Sequence, residues 1–185
     1  MEVSLRAAAA EDLPNIVEII NDAILHTSAV YDYHPRSLET QHAWWLKKQA
    51  DGMPVVVADH ERRAIGFGTY GIFRPWDAYR FSVEHSLYVA DSFRGQGVGK
   101  LLLGRLIALA TAQGFHTMIA GIDGSNAGSY ALHRKFGFEE IGRFREIGYK
   151  FDRWLDLIFM QRFLQTPASK PPSASSHDTL SHSSQ

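Results

Sequence analysis

The seven residues Arg94-Gly95-Gln96-Gly97-Val98-Gly99-Lys100 carry the densest chemical signal in this 185-residue chain. They follow an alternating run, Phe81 to Val89, that reads as a strand. They precede an apolar-periodic run, Lys100 to Gln113, that reads as a helix. A strand, a glycine-rich turn and a helix together aim backbone N–H groups at an anion. The first turn of a helix has N–H groups with no internal partner, and the helix dipole adds partial positive charge there. Glycine lets the backbone approach a ligand with no Cβ in the way. The arrangement predicts a phosphate cradle.

Spacing excludes two common cradles. A nucleotide-hydrolase loop needs Gly, four residues, then Gly-Lys-Ser/Thr. Gly99-Lys100 fits its end, but Arg94 stands at the first glycine position and Leu101 at the hydroxyl position. A dinucleotide loop needs G-x-G-x-x-G. Counted from Gly95 the third glycine position is Lys100, and counted from Gly97 it is Leu102. The pattern that fits is Arg94-x-x-Gly97-x-Gly99.

Composition narrows the class. The length suits one domain with a core of its own. Net charge is −1 with acidic and basic residues interleaved, so no basic stripe points to a nucleic-acid partner. There is no cysteine, which removes disulfides, thiolate metal sites and a cysteine nucleophile. The nine histidines are scattered without an H-x-x-x-H pair, and no metal site is expected. No basic segment followed by an apolar one opens the sequence, and no apolar run reaches membrane-spanning length. A cytoplasmic enzyme without a membrane partner is expected.

The elements around the loop follow from periodicity. Val3 to Ala7 alternates as a short strand. A helix opens at Glu11-Asp12 and runs to about His26, with Leu13, Ile16, Val17, Ile20 and Ile24 on one face. Thr27 to Pro35 is a loop rich in Tyr, His and Thr that could line a cleft. Ser37 can cap a second helix to about Ala50, whose Leu38, Trp44, Trp45 and Leu46 are expected in the core. Pro54 to Ala58 and Ala64 to Phe73 form a hairpin around His60-Glu61-Arg62-Arg63. After the loop, Leu102, Leu103, Leu106, Ile107 and Ala110 mark the inward face of its helix. Thr117 to Ile122 is a strand, Asn126 to Phe136 a helix stopped by Gly137, and Phe138 to Phe144 and Trp154 to Phe163 the last strands. This order is mixed α/β, with one strand–helix crossover. From Gln165 the composition shifts: seven of the last twenty-one residues are Ser and three are Pro. The reading is one domain over 1–164 and a disordered tail over 165–185.

The pattern Arg94-x-x-Gly97-x-Gly99 resembles the acetyl-CoA loop of the GCN5-related N-acetyltransferases. Phe81 to Val89 upstream, Asn126-Ala127-Gly128-Ser129-Tyr130-Ala131-Leu132-His133-Arg134-Lys135-Phe136-Gly137-Phe138 downstream, and Gly148-Tyr149-Lys150 with Trp154-Leu155-Asp156 continue the match over roughly Val3 to Leu164. Together they look like the branch of phosphinothricin, methionine sulfoximine and methionine sulfone N-acetyltransferases. The resemblance implies a mixed, mostly antiparallel twisted sheet flanked by helices. It implies acetyl-CoA as co-substrate, held by the backbone of Leu87, Tyr88 and Val89, by the loop residues Arg94, Gly95, Gln96, Gly97, Val98, Gly99 and Lys100, and by Asn126. It implies a homodimer.

Acetyl transfer to an amine needs a proton acceptor, and Glu84 matches the glutamate assigned as general base in the branch. Burial among Phe81, Val83 and Leu87 would raise its pKa toward the useful range. Glu84 and His85 are adjacent, so in a regular strand they point to opposite faces, and His85 is the second candidate for the base. His133 stands where the wider superfamily places the tyrosine that protonates the CoA thiolate, and Tyr130 is the alternative donor. Without a cysteine or a serine–histidine–acid arrangement, direct transfer is expected rather than an acetyl-enzyme. The acceptor is expected against Arg74, Pro75 and Trp76 and against Glu84, His85 and Ser86. Arg74 could bind a carboxylate or phosphinate. Two other readings stay open: acetylation of another amine, such as a polyamine or a protein N-terminus, and a non-catalytic acetyl-CoA-binding module.

Overall fold

The structure is a computed structural model that describes residues 1–164. The expectation for 165–185 lies outside the described residues. One seven-stranded sheet runs through the molecule in the order β1-β2-β3-β4-β5-β7-β6. Its strands are β1 (Ser4–Ala7), β2 (Val55–His60), β3 (Arg63–Ile72), β4 (Ser82–Val89), β5 (Thr117–Asp123), β6 (Glu139–Lys150) and β7 (Arg153–Phe163). Every neighbouring pair is antiparallel except β4 with β5, which is parallel. The helices are α1 (Leu13–His26), α2 (Leu38–Ala50), α3 (Val98–Ala112) and α4 (Ala127–Lys135). No helix among the described residues is long and apolar enough to cross a membrane.

Two apolar clusters cover the two faces of the sheet. Leu102, Leu103, Leu106, Ile107 and Ala110 of α3 pack on Val83, Met118, Ala120 and Ile122. Leu13, Ile16, Ile20 and Ile24 of α1 pack on the other face against Val55, Val57 and Phe67. Alternation along β4 therefore splits its side chains. Val83, Leu87 and Val89 join the α3 side, and Tyr88 joins the α1 side.

Two expectations change. In α2 the only fully buried side chain is Gln41; Leu38 and Leu46 are exposed, and Trp44 and Trp45 are only partly covered. Its bulky residues do not recur at i, i+3, i+4 spacing, so no single apolar stripe exists to bury. The last hairpin is also longer than Phe138 to Phe144 suggested. β6 continues to Lys150 through two register shifts, and Phe151 and Asp152 turn the chain at φ 53° and 56°. A turn of this kind ordinarily announces itself by glycine or asparagine, and neither is present.

The parallel pairing of β4 and β5 positions the site. It runs from Ser82↔Thr117 to His85↔Ala120 and stops. β4 continues to Val89 and β5 to Asp123 without pairing each other. The sheet splits there.

Candidate active site

A cavity of about 730 Å³ occupies this split. Its walls come from β4 (His85 to Val89), the glycine loop, β5 (Ala120 to Asp123), the start of α4 and residues 27–29.

At one end stands the glycine loop. Gly95 and Gly97 both have positive φ, 75° and 88°, a region that L side chains rarely adopt. Gly97 is the N-cap of α3, and the first helical bond runs from Leu101 N–H to the Gly97 carbonyl. The N–H groups of Val98, Gly99 and Lys100 precede it and have no partner within the helix. No acidic side chain lies in the first turn of α3, so its positive end is free for a ligand. The Arg94 side chain serves the loop itself. It donates to the Val89 carbonyl at 3.2 Å, to Asp91 at 2.9 Å and to Asp22 at 3.3 Å. Gln96 donates to the Ser92 carbonyl at 2.8 Å. The Val98 side chain is buried in the α3 core. Besides Arg94, the loop residues in the cavity wall are Gly95, Gly97, Gly99 and Lys100. Asn126 caps α4 by accepting from the Ser129 N–H at 2.9 Å, while its residue lines the cavity.

Glu84 and His85 lie on opposite faces. Glu84 faces the α1 side. Its Oε1 would stand 3.2 Å from a Cβ on Gly121, with Leu157 and Phe159 of β7 on the same spot. Burial raises its pKa above the usual carboxylate value, and the charge of Arg74 partly opposes the rise. The apolar cover is not Val83 and Leu87, which alternate to the α3 face. Glu84 itself is not in the cavity wall; Gly121, against which it lies, is.

His85 is buried on the α3 side. Its Nε2 is 3.0 Å from Nε2 of His133, and the rings stack at 20° with centroids 5.0 Å apart. The His133 Nδ1 lies 2.7 Å from the Ser129 carbonyl, which can only accept. That fixes the neutral tautomers. His133 carries its proton on Nδ1 and accepts at Nε2, and His85 donates from Nε2. His85 Nδ1 is then an acceptor, buried with no partner. Phe138 packs its edge against both rings. Burial lowers the pKa of both histidines, that of His85 to about 3, with the His133 charge as the second cause for His85. Tyr130 packs against the α3 core cluster and is absent from the cavity wall.

The expected acceptor residues divide. His85 and Ser86 line the cavity. Arg74, Pro75 and Trp76 do not. Trp76 is 64% exposed and packs on Tyr79, and the Arg74 guanidinium lies 4.4 Å over the Phe73 ring. Residues 27–29 do line the cavity, and the loop they belong to is tied to the last hairpin. Lys150 Nζ donates to the carbonyls of Ile24, Thr27 and Val30 at 2.6, 2.9 and 2.6 Å. The Tyr31 hydroxyl donates to the Asp156 carbonyl at 2.9 Å, and the Tyr33 hydroxyl donates to the Tyr149 carbonyl. Gly121, Asp123 and Ser125 also line the cavity, and no sequence motif marked them.

Comparisons with known proteins match the fold that carries this cavity. The Acetyltransferase (GNAT) family matches residues 16–138. A methionine sulfoximine/methionine sulfone acetyltransferase of Pseudomonas aeruginosa is 44% identical over 172 residues, covering 92% of this chain and 100% of that protein. A phosphinothricin acetyltransferase from Sinorhizobium meliloti, solved in complex with acetyl-CoA, is 42% identical with a TM-score of 0.90, over 97% of this chain and 98% of that one. A ribosomal-protein-alanine N-acetyltransferase structure from Brucella melitensis is 45% identical with a TM-score of 0.86, over 87% and 99%. The chain belongs to the acetyltransferase (GNAT) family.

Proposed function

We propose that this protein transfers the acetyl group of acetyl-CoA to the amine of a small amino-acid analogue of the methionine sulfone, methionine sulfoximine and phosphinothricin kind. One observation carries the reading. A single cavity joins an anion-binding glycine loop to the open end of the β4–β5 split, where Gly121 meets Glu84. The names of the Pseudomonas and Sinorhizobium relatives supply the acceptor class.

Acetyl-CoA, when bound, supplies an activated thioester. The loop backbone from Gly95 to Lys100 fits its pyrophosphate, because the unpartnered N–H groups and the helix dipole favour negative charge there. The unpaired edge of β4, from Ser86 to Val89, offers backbone groups to the pantetheine arm and to the oxygen where charge develops. Asn126 adds its amide at the start of α4.

An amine attacks only as the neutral species. Glu84 takes the proton from the acceptor's ammonium group, and the burial that raises its pKa makes it a better base. Arg74, close enough to act on Glu84, is placed to meet a carboxylate or phosphinate on the acceptor. On the other face, His133 provides the proton for the leaving thiolate. Its Nδ1–H is held by Ser129 and its Nε2 accepts from His85 in the neutral pair, so the proton it passes on is the second one that the acceptor nitrogen loses as the C–S bond breaks. With no cysteine, transfer is direct.

The β6–β7 hairpin exposes Ile141, Phe144, Ile147, Tyr149, Trp154 and Phe163. A concentration of apolar surface on an edge hairpin suits a homodimer interface. Sedimentation tests this: a monomer at micromolar concentration removes the dimer.

The main test is acetyl-CoA-dependent thiol release with phosphinothricin, methionine sulfoximine, methionine sulfone, spermidine and a short peptide. Turnover of the first three and not the last two is expected. Preference for the peptide would favour the activity named for the Brucella relative. Acetyl-CoA binding without turnover of any acceptor would favour a non-catalytic module.

A further inference from the structure

Asp123 ends β5 and is buried, with 5% of its surface exposed. One carboxylate oxygen, Oδ1, accepts from the Ser125 N–H at 2.8 Å and from the Ser125 hydroxyl. The other, Oδ2, is buried with no hydrogen-bond partner. Asp123 takes part in none of the ion pairs among the described residues. Burial first, then the charges of Asp123 and Asp156 and a hydrogen-bond contact with Asp123, push the Tyr31 hydroxyl up to about 12. Its one proton goes to the Asp156 carbonyl at 2.9 Å, so the phenol beside Asp123 brings it no donor. A carboxylate withdrawn from water with one oxygen unpartnered is costly, and a cation is the group that offsets it best.

The position of Asp123 says which cation. It lines the cavity together with Gly121 and Ser86. Met118, Ala120 and Ile122 of β5 face α3, so Gly121 and Asp123 face the opposite side, the side of Glu84. A side chain at Gly121 would press on Glu84 Oε1 at 3.2 Å and on Leu157 and Phe159; glycine lets the Glu84 carboxylate come close over this position. Glu84 and Asp123 therefore lie on the same face of the sheet with Gly121 between them, at the β4–β5 split rather than in the anion-seeking loop. An acceptor bearing a positive amine is drawn to this end, and the phosphates are drawn to the other.

We propose that Asp123 anchors the primary ammonium group of the acceptor, beside the base that later removes its proton. The assignment rests on the acetyl-transfer reading above. Asp123 holds the cation in place; Glu84, across Gly121, receives the proton. Selection for a primary ammonium at this carboxylate also gives the site a preference over uncharged nucleophiles of similar shape.

Asp123→Asn tests it, because the amide keeps an oxygen for Ser125 and removes the negative charge. Two ligands are titrated into the wild-type protein and the variant in the presence of CoA: methionine sulfone, and its 2-hydroxy analogue, which lacks the amine. Acceptor turnover and the KM for acetyl-CoA are measured alongside. Expected is a tenfold or larger rise in the acceptor KM, an acetyl-CoA KM within twofold of wild type, and tenfold or greater weakening of methionine sulfone binding with no change for the 2-hydroxy analogue. Equal weakening of both ligands would mean that Asp123 only shapes the wall, and unchanged binding of both would also overturn the proposal. Loss of fold in Asp123→Asn is separated by thermal melting, with Asp123→Glu as the second variant: it retains the charge and is expected to keep discriminating between the two ligands. Wild-type turnover with an unaffected Asp123→Asn overturns the ammonium anchor alone. A wild type that neither turns over nor binds any amino-acid acceptor overturns the acetyl-transfer reading with it.

Discussion

Nε2 of His85 and Nε2 of His133 stand 3.0 Å apart with one proton between them, and the Ser129 carbonyl at 2.7 Å from His133 Nδ1 decides on which ring that proton sits. The pair is built to be neutral. A cation on either ring would be buried, and burial lowers both pKa values, that of His85 from 6.5 to about 3. In the unfolded chain each histidine titrates near its ordinary value. Below about pH 6.5 the unfolded state therefore binds protons that the folded state refuses, and stability falls as pH falls. For His85 the loss reaches about 2 kcal/mol by pH 5. Urea midpoints measured between pH 7 and pH 5 should decline, and His85→Asn should flatten the decline even if it lowers the starting value. A flat wild-type profile in that window would contradict the neutral pair. In the same variants, His133→Phe should lower kcat while leaving the acetyl-CoA KM within a few-fold.

Glu84→Gln keeps the shape of the base and removes its proton affinity. Its kcat should drop by about 10²- to 10⁴-fold, the usual range for a lost general base. Acetyl-CoA affinity, measured by calorimetry, should hold, because Glu84 lies outside the cavity wall that includes the glycine loop. Near-normal turnover would remove Glu84 from the mechanism. The pH profile adds an independent check. Glu84 must be ionised to work, and its pKa is raised by burial, so the acid limb of kcat/KM should lie above the ordinary carboxylate range. Arg74 acts in the opposite sense. Arg74→Gln should move the acid limb to still higher pH; a shift to lower pH would mean that Arg74 does not act on Glu84.

Most of this arrangement was legible in the residues, for physical reasons that also mark where reading stops. The α3 stripe at Leu102, Leu103, Leu106, Ile107 and Ala110 is strongly periodic, and all five are buried. Ser37 caps α2 by accepting from the Thr40 N–H, as its type suggested. The opposite faces of Glu84 and His85 follow from strand alternation alone. The coupling of His85 to His133 does not, because 48 residues separate them and only the packing of α4 on the sheet brings them together. The cavity wall at Gly121, Asp123 and residues 27–29 carries no local signature, since each residue's role comes from tertiary neighbours. Within Arg74 to Trp76, Trp76 is 64% exposed and none of the three lines the cavity, while the Arg74 charge still acts on Glu84, a link that only the fold creates.

Gly97 tests the cradle. Its φ of 88° is strained for any other residue, and the space around its missing Cβ is empty to 4 Å. Gly97→Val therefore brings no clash with the protein; it brings backbone strain of about 1–3 kcal/mol and a branched side chain at the mouth of the cradle. Acetyl-CoA affinity should fall at least tenfold by calorimetry, with a smaller proportional change in thermal stability. Unchanged affinity would sink the assignment of this loop to the cofactor phosphates.

Lys150 is a buried cation without a carboxylate partner among the ion pairs of the described residues. Burial pushes its pKa down from 10.5, yet its three carbonyl acceptors call for three N–H groups, which only the ammonium form has. Those carbonyls belong to the end of α1 and to residues 27 and 30, so one side chain on β6 fixes the stretch of chain that walls the cavity. Lys150→Met fills a similar volume and removes all three donors. About 3 kcal/mol of stability or more should be lost, since each carbonyl is left dry without a partner. The acceptor KM should rise more than the acetyl-CoA KM, because the loosened wall is the stretch at residues 27–29 and not the glycine loop. Urea unfolding and steady-state kinetics on the same preparation read both effects; a stability loss with both KM values unchanged would limit Lys150 to the fold and detach it from the site.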